Sequence, residues 1–182
     1  RVFAPSGSAK KEIRLDAEPQ CVAVGGASHA HPGRIYVGMR DRVEVFDNGG
    51  APVAAWESPS RRAVLTSIAA AENDVFVADA GEKTIWHYDT AGNLLKRIGD
   101  RDPDRRIPGF VIPSPHFDVA MAPDGLLRAV NPGSHRIEAY TFEGDLELAW
   151  GKPGTAIERF SGCCNPAAMA VMPDGRIVTG EK

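Results

Sequence analysis

The chain has 182 residues, of which 43% are hydrophobic and 7% aromatic, a composition that suits one globular unit with a hydrophobic core and excludes a disordered protein. Its 21 basic and 24 acidic residues give a formal net charge of −3, so nucleic acid is not a predicted partner. No apolar run approaches the roughly 20 residues that cross a bilayer, and no membrane span is predicted.

Four segments of the chain repeat the same order of short strands and turns. They begin at Gly33, Asn73, Asp124 and Asp174, and the last segment stops after its first part. The aromatic residue that ends the third strand recurs after 42 positions, from Phe46 to Tyr88. Repeats of about 40 to 50 residues are typical of the four-stranded blades of a β-propeller.

Within each unit the strands follow one scheme. An apolar first strand, such as "FDVAMA", leads through a turn into a second strand, and an alternating third strand such as "RIEAY" is followed by a charged fourth strand such as "LELAW". This alternation with Gly, Asn and Asp turns predicts an all-β protein of antiparallel blades. The predicted blade-like units are 21–58, 64–99, 116–151 and a partial unit at 166–182, within a single segment 1–182.

The later units resemble the NHL repeat. The stretch "AMAPDGLLRAVNPGSHRIEAYTFEGDLELAWG" is similar to that family's order of Pro-Asp-Gly turn, aliphatic strand, polar turn and aliphatic-aromatic strand. The positions that match are Asp79 and Gly81 in one unit and Asn131, Gly133, His135 and Arg136 in the next. Met39 stands where Asp79 would align, so the first unit departs from the pattern. The resemblance implies a six-bladed propeller and says almost nothing about function.

The number of strands falls short of that ring. Three complete units, a leading strand "KEIRL" (11–15) and two trailing strands make about fifteen, whereas six blades of four strands require about twenty-four. We therefore expect an incomplete six-bladed propeller, either a segment of a longer protein or a chain that associates with a second copy. An open arc leaves strand edges and an apolar face unpaired, which favours association.

Two adjacent cysteines, Cys163 and Cys164, precede the last inner strand, where connecting loops crowd the predicted channel mouth. Adjacent Cα atoms lie about 3.8 Å apart, less than the roughly 4.4 Å of ordinary disulfides. Reduced structural thiols, a disulfide between the two, and a redox or metal role all remain open. In an oxidising compartment we expect the two to be bonded to one another, since Cys21 belongs to a different inner strand and is predicted to pack as a small hydrophobe.

Further polar residues are predicted at the same mouth. Asp79, Asn131 and Glu181 recur at the end of the second strand, either as a binding surface or as side chains that satisfy turn backbone groups. His116 and Asn165 adjoin inner strands. The irregular insertion at 100–115 alternates in charge sign, which is typical of a solvated surface loop, with a ligand loop as the alternative.

Zinc chemistry has weak support in the sequence. The peptide-amidating lyases of the wider NHL family hold zinc with channel histidines, and His116 resembles one of them in its setting. Zinc needs about three protein ligands, but the matching positions in neighbouring units are Val64 and Pro166. His29 and His31 form a second candidate pair in a surface turn at the opposite end. No metal site and no cofactor are predicted.

These observations favour a rigid scaffold over an enzyme. We expect the propeller face to bind a protein or small-molecule ligand, with Cys163, Cys164, Asn165, His116, Asp79, Asn131 and Glu181 as candidate contacts. The alternative is a metal-dependent or redox enzyme, lyase-like, with its site at the channel mouth. We expect a secreted or periplasmic protein.

Overall fold

The computed structural model describes residues 1–182, and sixteen β-strands form nearly all of its regular structure. The first four-stranded sheet contains β3 (Cys21–Val24), β4 (Ile35–Gly38), β5 (Arg42–Phe46) and β6 (Pro52–Glu57). The second contains β7 (Leu65–Ala70), β8 (Asp74–Asp79), β9 (Thr84–Asp89) and β10 (Leu94–Ile98). The third contains β11 (Val119–Met121), β12 (Leu127–Asn131), β13 (Arg136–Tyr140) and β14 (Leu146–Trp150).

Two-stranded hairpins flank these sheets. The N-terminal hairpin pairs β1 (Val2–Phe3) with β2 (Ala9–Lys11), and the C-terminal hairpin pairs β15 (Ala168–Val171) with β16 (Ile177–Gly180). All strand pairs are antiparallel and follow chain order, which confirms the predicted all-β architecture of four-stranded antiparallel sheets. The helical structure is one short 3-10 turn, Pro132–Ser134. The structure has no helix with the length and apolar character needed to cross a membrane.

The N-terminal hairpin has the turn that joins the third and fourth strands of a complete sheet. In the first sheet the Asp47 N–H donates to the Ala51 carbonyl and the Gly50 N–H to the Asp47 carbonyl; the Ala4–Ser8 turn repeats both bonds. Gly7 and Gly50 have φ of 83° and 77°, a left-handed conformation that glycine adopts at little cost. The turn between β11 and β12 makes the same pair of bonds, at Ala122 and Gly125, so the turn alone does not tell which strands of a blade these are. Chain order does, because the hairpin comes just before β3, the first strand of the first sheet, and so holds the place of a third and a fourth strand. The prediction of one leading strand at 11–15 was wrong, because the strands lie at 2–3 and 9–11.

The hydrophobic core lies between successive sheets. One cluster joins the first and second sheets through residues such as Tyr36, Trp56 and Tyr88. The ring centroid of Trp56 lies 5.5 Å from that of Tyr36 and 5.6 Å from that of Tyr88. A larger cluster joins the second and third sheets. The fourth strands β6, β10 and β14 are largely exposed, as expected for outer edges. Face-to-face packing of separate sheets is the arrangement of propeller blades.

The insertion at 100–115 contributes to this core. Ile107, Phe110 and Ile112 are buried among residues of the second and third sheets, and the Phe110 ring centroid lies 4.7 Å from that of Phe117. Most of the charged residues that precede Ile107 remain exposed, and Asp102 is half-buried. The insertion is thus solvated on one side and packed on the other, so the expectation of a simple surface loop was only half right.

The inner strands of neighbouring sheets contact one another and share polar links. Asp118, which immediately precedes β11, accepts hydrogen bonds from the Ser67 hydroxyl on β7 (2.6 Å) and from the Met169 N–H on β15 (2.8 Å). One carboxylate therefore joins three successive units at the inner side of the arc. Sequence analysis did not single out Asp118, since its partners lie 51 residues away in each direction.

Strand direction divides the arc into two ends. Because the strands are antiparallel, the connections 58–64, 99–118 and 151–167 and the turns after each second strand all lie at one end, called here the loop end. This is the predicted channel mouth. The other end carries the turns between first and second strands, including the His29–His31 segment. His29 is buried there and its Nε2 lies 3.1 Å from the Tyr36 hydroxyl.

The first sheet and the C-terminal hairpin, which lie at the two termini of the arc, leave apolar surface uncovered. Val22 and Val24 on β3 are 64% and 58% exposed, and Val178 on β16 is 57% exposed. A groove of about 530 Å³ separates the N-terminal hairpin from the inner part of the first sheet, with nine of its twelve lining residues hydrophobic. The β16 edge has no partner strand. Such faces favour association.

We expect the 182-residue chain to self-associate through these faces. Replacing both exposed valines, V22T/V24T, should weaken association by roughly 2 kcal/mol, or about thirtyfold, because less apolar surface is buried. Sedimentation velocity over a concentration series measures this. V53T, at a 49% exposed position on the outer strand β6, is the matched control and should leave association unchanged. A wild-type chain that stays monomeric at every concentration contradicts the prediction.

Candidate functional site

Asp79 ends the second strand of the second sheet and is completely buried. Its Oδ1 accepts hydrogen bonds from the backbone N–H groups of Val64 (2.9 Å), Gly81 (2.9 Å) and Glu82 (3.2 Å). Its Oδ2 accepts one from Trp86 Nε1 at 2.9 Å. The carboxylate therefore ties the incoming connection 58–64 to the turn after β8, and all its bonds are made within the protein.

Asn131 occupies the same position in the third sheet and is also completely buried. Its Oδ1 accepts a hydrogen bond from the Val111 N–H (2.9 Å), while its Nδ2 donates to the Gly109 carbonyl (3.2 Å) and to Glu138 Oε1 (3.0 Å). The side chain thus holds the connection 99–118 as Asp79 holds the one before it. In the first sheet the buried Met39 stands at this position and makes no such link through its side chain.

Glu181 follows β16 and repeats the arrangement at the C-terminal hairpin. Its Oε2 accepts hydrogen bonds from the Ser161 N–H (3.1 Å) and the Ser161 hydroxyl (2.9 Å), so it holds the connection 151–167. Unlike Asp79 and Asn131, Glu181 is exposed. Of the three recurring residues, only this one has a carboxylate that a ligand can reach.

The three residues Asp79, Asn131 and Glu181 do not meet in one cluster. Each of them bonds the connection that enters its own sheet, so they form a row of anchors along the loop end. The geometry matches the backbone-satisfying alternative for the two buried side chains. A ligand-binding role for any of the three stays a prediction.

The adjacent cysteines lie at the surface of the loop that Glu181 holds. Both are free thiols, and their Sγ atoms are 3.1 Å apart. Cys163 is exposed, whereas Cys164 is 7% exposed. Gly162, with φ of 72°, gives the chain the left-handed conformation needed to enter the pair, and its carbonyl accepts a hydrogen bond from His135 Nε2 at 2.7 Å.

Asn165 fixes the other side of the thiol pair. It is 1% exposed, its Nδ2 donates to the Ser161 carbonyl at 2.7 Å, and its Oδ1 accepts from the Lys182 N–H at 3.1 Å. These bonds make Asn165 a buried brace for the loop. It is therefore placed beside the thiols without facing solvent itself.

Lys182 and Ser114 complete the surroundings of the thiols. Lys182 Nζ donates to the Ser114 hydroxyl at 2.9 Å, while the Lys182 N–H bonds Asn165, so Lys182 links the connections 99–118 and 151–167. The Cys163 thiol, the Ser114 hydroxyl and the Lys182 charge together lower the pKa of Cys164 below that of an ordinary thiol. The Cys163–Cys164 hydrogen bond raises the pKa of Cys163. Sequence analysis missed Ser114 and Lys182, because no local motif marks either residue.

The side chains of the remaining candidates, His116 and Cys21, make no hydrogen bond to this group. His116 is exposed at the loop end, and its backbone N–H donates to the Ser114 carbonyl at 2.7 Å. Cys21 is half-buried on β3, and burial raises its pKa to about 12, so it is a poor nucleophile. The structure brings no three His, Cys, Asp or Glu side chains together in an arrangement that can hold a metal ion.

No protein-family model matches the sequence, and no curated protein sequence matches it. Solved structures do. The chain is similar to Kuenenia stuttgartiensis hydrazine synthase, with a TM-score of 0.63, 12% identity and coverage of 93% of this chain and 44% of that one. It is similar to virginiamycin B lyase from Staphylococcus aureus, in a catalytically inactive H270A form with quinupristin, with a TM-score of 0.66, 16% identity and coverage of 98% and 55%.

A protein of unknown function from Bacteroides caccae is also similar, with a TM-score of 0.57, 14% identity and coverage of 89% of this chain and 52% of that one. The chain therefore spans about half the length of the structures that it matches. At these identities the likeness shows the fold alone. It supports the β-propeller-like architecture and assigns no activity.

We expect Asp79→Ala to lower the free energy of unfolding by roughly 3 kcal/mol or more, because it leaves three backbone N–H groups and the Trp86 indole N–H without an acceptor. Urea unfolding followed by tryptophan fluorescence measures the change. The matched control is Asp47→Ala, which removes one bond to the Ala51 N–H in an exposed turn and should cost under about 1 kcal/mol. Equal losses in the two variants would refute the anchoring role.

Proposed function

We propose that the 182 residues are part of an NHL-like, six-bladed propeller. Three complete sheets and two half-sheets supply sixteen strands. A six-bladed ring of four-stranded blades has about twenty-four, so about eight more strands would close it. The NHL resemblance of the later units supports the six-fold count.

The two half-sheets support the same proposal because they stand at different places in the chain order. The N-terminal hairpin precedes the first strand of a complete sheet, as a third and a fourth strand would, and the C-terminal hairpin follows the fourth strand of one, as a first and a second strand would. The apolar groove over Val22 and Val24 is where the inner strands of a preceding blade would pack.

We propose that this propeller is a rigid scaffold that binds a protein or small-molecule ligand at the loop end. The observation that carries the proposal is the repeated anchoring of the connections by Asp79, Asn131 and Glu181. Anchored connections hold their exposed groups in fixed positions, which lowers the entropy lost on binding. The exposed groups at this end include His116 and Cys163.

An enzymatic role is the alternative, and its two forms differ in support. The metal-dependent, lyase-like form needs further ligands for His116, and within residues 1–182 no such set converges. The redox form has the two thiol sulfurs at 3.1 Å in its favour. The scaffold proposal requires neither form.

A fragment screen tests the scaffold proposal. We expect small polar and aromatic fragments, added to the isotope-labelled chain, to shift the amide resonances of Ser114, His116 and Cys163. His116→Ala should weaken those fragments about fivefold by removing one hydrogen-bonding group. His31→Ala is the matched control, because His31 is an exposed histidine in the turn between β3 and β4, away from the loop end. Fragments that bind only at that turn, or only in the groove over Val22, would overturn the proposal.

We also propose a secreted or periplasmic location, because we expect Cys163 and Cys164 to form a disulfide with one another, and disulfides persist in oxidising compartments. Fractionation of bacterial cells that express the intact gene checks this. The protein should be recovered with periplasmic markers or in the medium. Recovery with cytosolic markers alone would contradict the proposed location.

A further inference from the structure

We propose that Cys163 and Cys164 form a thiol–disulfide exchange site for low-molecular-weight disulfides. In this site Cys163 accepts the mixed disulfide and Cys164 resolves it. The inference goes beyond the scaffold function, because it assigns a reaction and a class of reactant to two side chains. It rests on the distance between the sulfurs, their unequal exposure and the bonds that hold the loop.

The two thiols differ in access. Cys163 is exposed and can meet a disulfide from solvent, whereas Cys164 is 7% exposed and faces the connection that carries Ser114. Their Sγ atoms are already 3.1 Å apart, within reach for sulfur-to-sulfur attack without a large loop movement. Access therefore selects Cys163 for the first step, and proximity selects Cys164 for the second.

The loop around the thiols is held from both sides. Glu181 bonds Ser161, His135 bonds the Gly162 carbonyl, and the buried Asn165 braces the segment after Cys164. Glu181 follows β16 and His135 precedes β13, so these two bonds come from the units on either side of the loop, whereas Asn165 belongs to the loop itself. The backbone around the sulfurs is thus fixed before any reaction, which is a property of reactive sites held on rigid supports.

The charges near Cys164 favour its thiolate. Lys182 Nζ donates a hydrogen bond to the Ser114 hydroxyl at 2.9 Å, and both groups stabilise the negative charge of the Cys164 thiolate. The pKa of Cys164 is lowered for this reason, and the pKa of Cys163 is raised because its S–H bonds the Cys164 sulfur. As the Cys163 sulfur bonds to the disulfide, its S–H becomes strongly acidic, and the Cys164 thiolate 3.1 Å away accepts the proton.

The reaction balances in two steps. Cys163 Sγ attacks one sulfur of the disulfide RSSR, its proton passes to the Cys164 thiolate, the RS–SR bond breaks and RS⁻ leaves. The Cys164 thiol then gives its proton to RS⁻ and attacks the Cys163 sulfur of the mixed disulfide, which expels the second RS⁻. Two cysteine sulfurs are oxidised and one RSSR is reduced to RSH and RS⁻. Because the ring joins adjacent residues, its bond is strained and easily reduced again.

Oxidised glutathione is the probe for the test. The reduced 182-residue chain is mixed with excess probe, quenched at intervals with acid, and measured by intact mass and peptide mapping. We expect a product lighter by two hydrogen atoms, with a Cys163–Cys164 bond that dithiothreitol reverses. Cys21→Ser is the control and should react like the wild type, because Cys21 has a raised pKa of about 12.

Single-cysteine variants separate the two roles. Cys164→Ser should accumulate a glutathione adduct on Cys163, because no resolving thiol remains. Cys163→Ser should form an adduct on Cys164 at least about tenfold more slowly, since that sulfur is buried. Lys182→Gln should prolong the life of the mixed disulfide in the otherwise wild-type chain. Amide NMR spectra confirm that each variant is folded.

Three results would overturn the inference. The first is a wild-type chain that stops at a stable glutathione adduct, and the second is a bond from Cys21 to either neighbour. The third is equal adduct formation in the two single-cysteine variants. The first two need no variant, so the test stands even if a substitution disturbs the loop. Fragment binding by the reduced wild-type chain, which involves no reaction of the thiols, shows separately whether the scaffold function holds.

Discussion

A hydrogen-bonded anchor follows the second strand of every unit except the first sheet, and it holds together most of what is distinctive in this arc. Every connection that returns from an outer strand must enter the next sheet at its inner strand, and its backbone polar groups need partners there. Asp79 and Asn131 supply those partners from completely buried positions, and Glu181 does so from an exposed one. A change of side chain at these positions therefore alters a loop and a blade junction together.

The anchors also explain why we place both the proposed ligand site and the proposed thiol reaction at the loop end. Once the connections are tied down, the groups that the anchors do not use are held at fixed positions in solvent. Cys163 and His116 are such groups, whereas Asn165 is used as a brace. The thiol pair gains from this most of all, because its sulfurs are kept 3.1 Å apart by bonds made elsewhere in the loop. The rigidity of the loop and the reactivity that we propose for the thiols thus depend on the same hydrogen bonds.

The first and last units of the arc show a second constraint, which is that a blade needs a neighbour on each face. A blade is stable when both faces are covered, and the internal sheets meet that condition through the clusters between them. β3 and β15 do not, and they expose alternate residues where β7, between two sheets, is mostly buried. The insertion residues Ile107 and Phe110 show how the same need is met locally, since they fill the space between two sheets.

Periodicity was enough to predict the antiparallel four-stranded sheets, because alternation and turn residues act within a few positions of each other. The leading hairpin was misplaced, since two short strands such as β1 (Val2–Phe3) carry little pattern. The sequence marked Asp79, Asn131 and the adjacent cysteines by recurrence or adjacency. Only tertiary structure decided that Ser114 and Lys182 approach Cys164 and that Asp118 joins three units. Except for Lys182, which is 18 positions from Cys164, these residues lie 50 or more positions from their partners, and local pattern carries no information about such contacts.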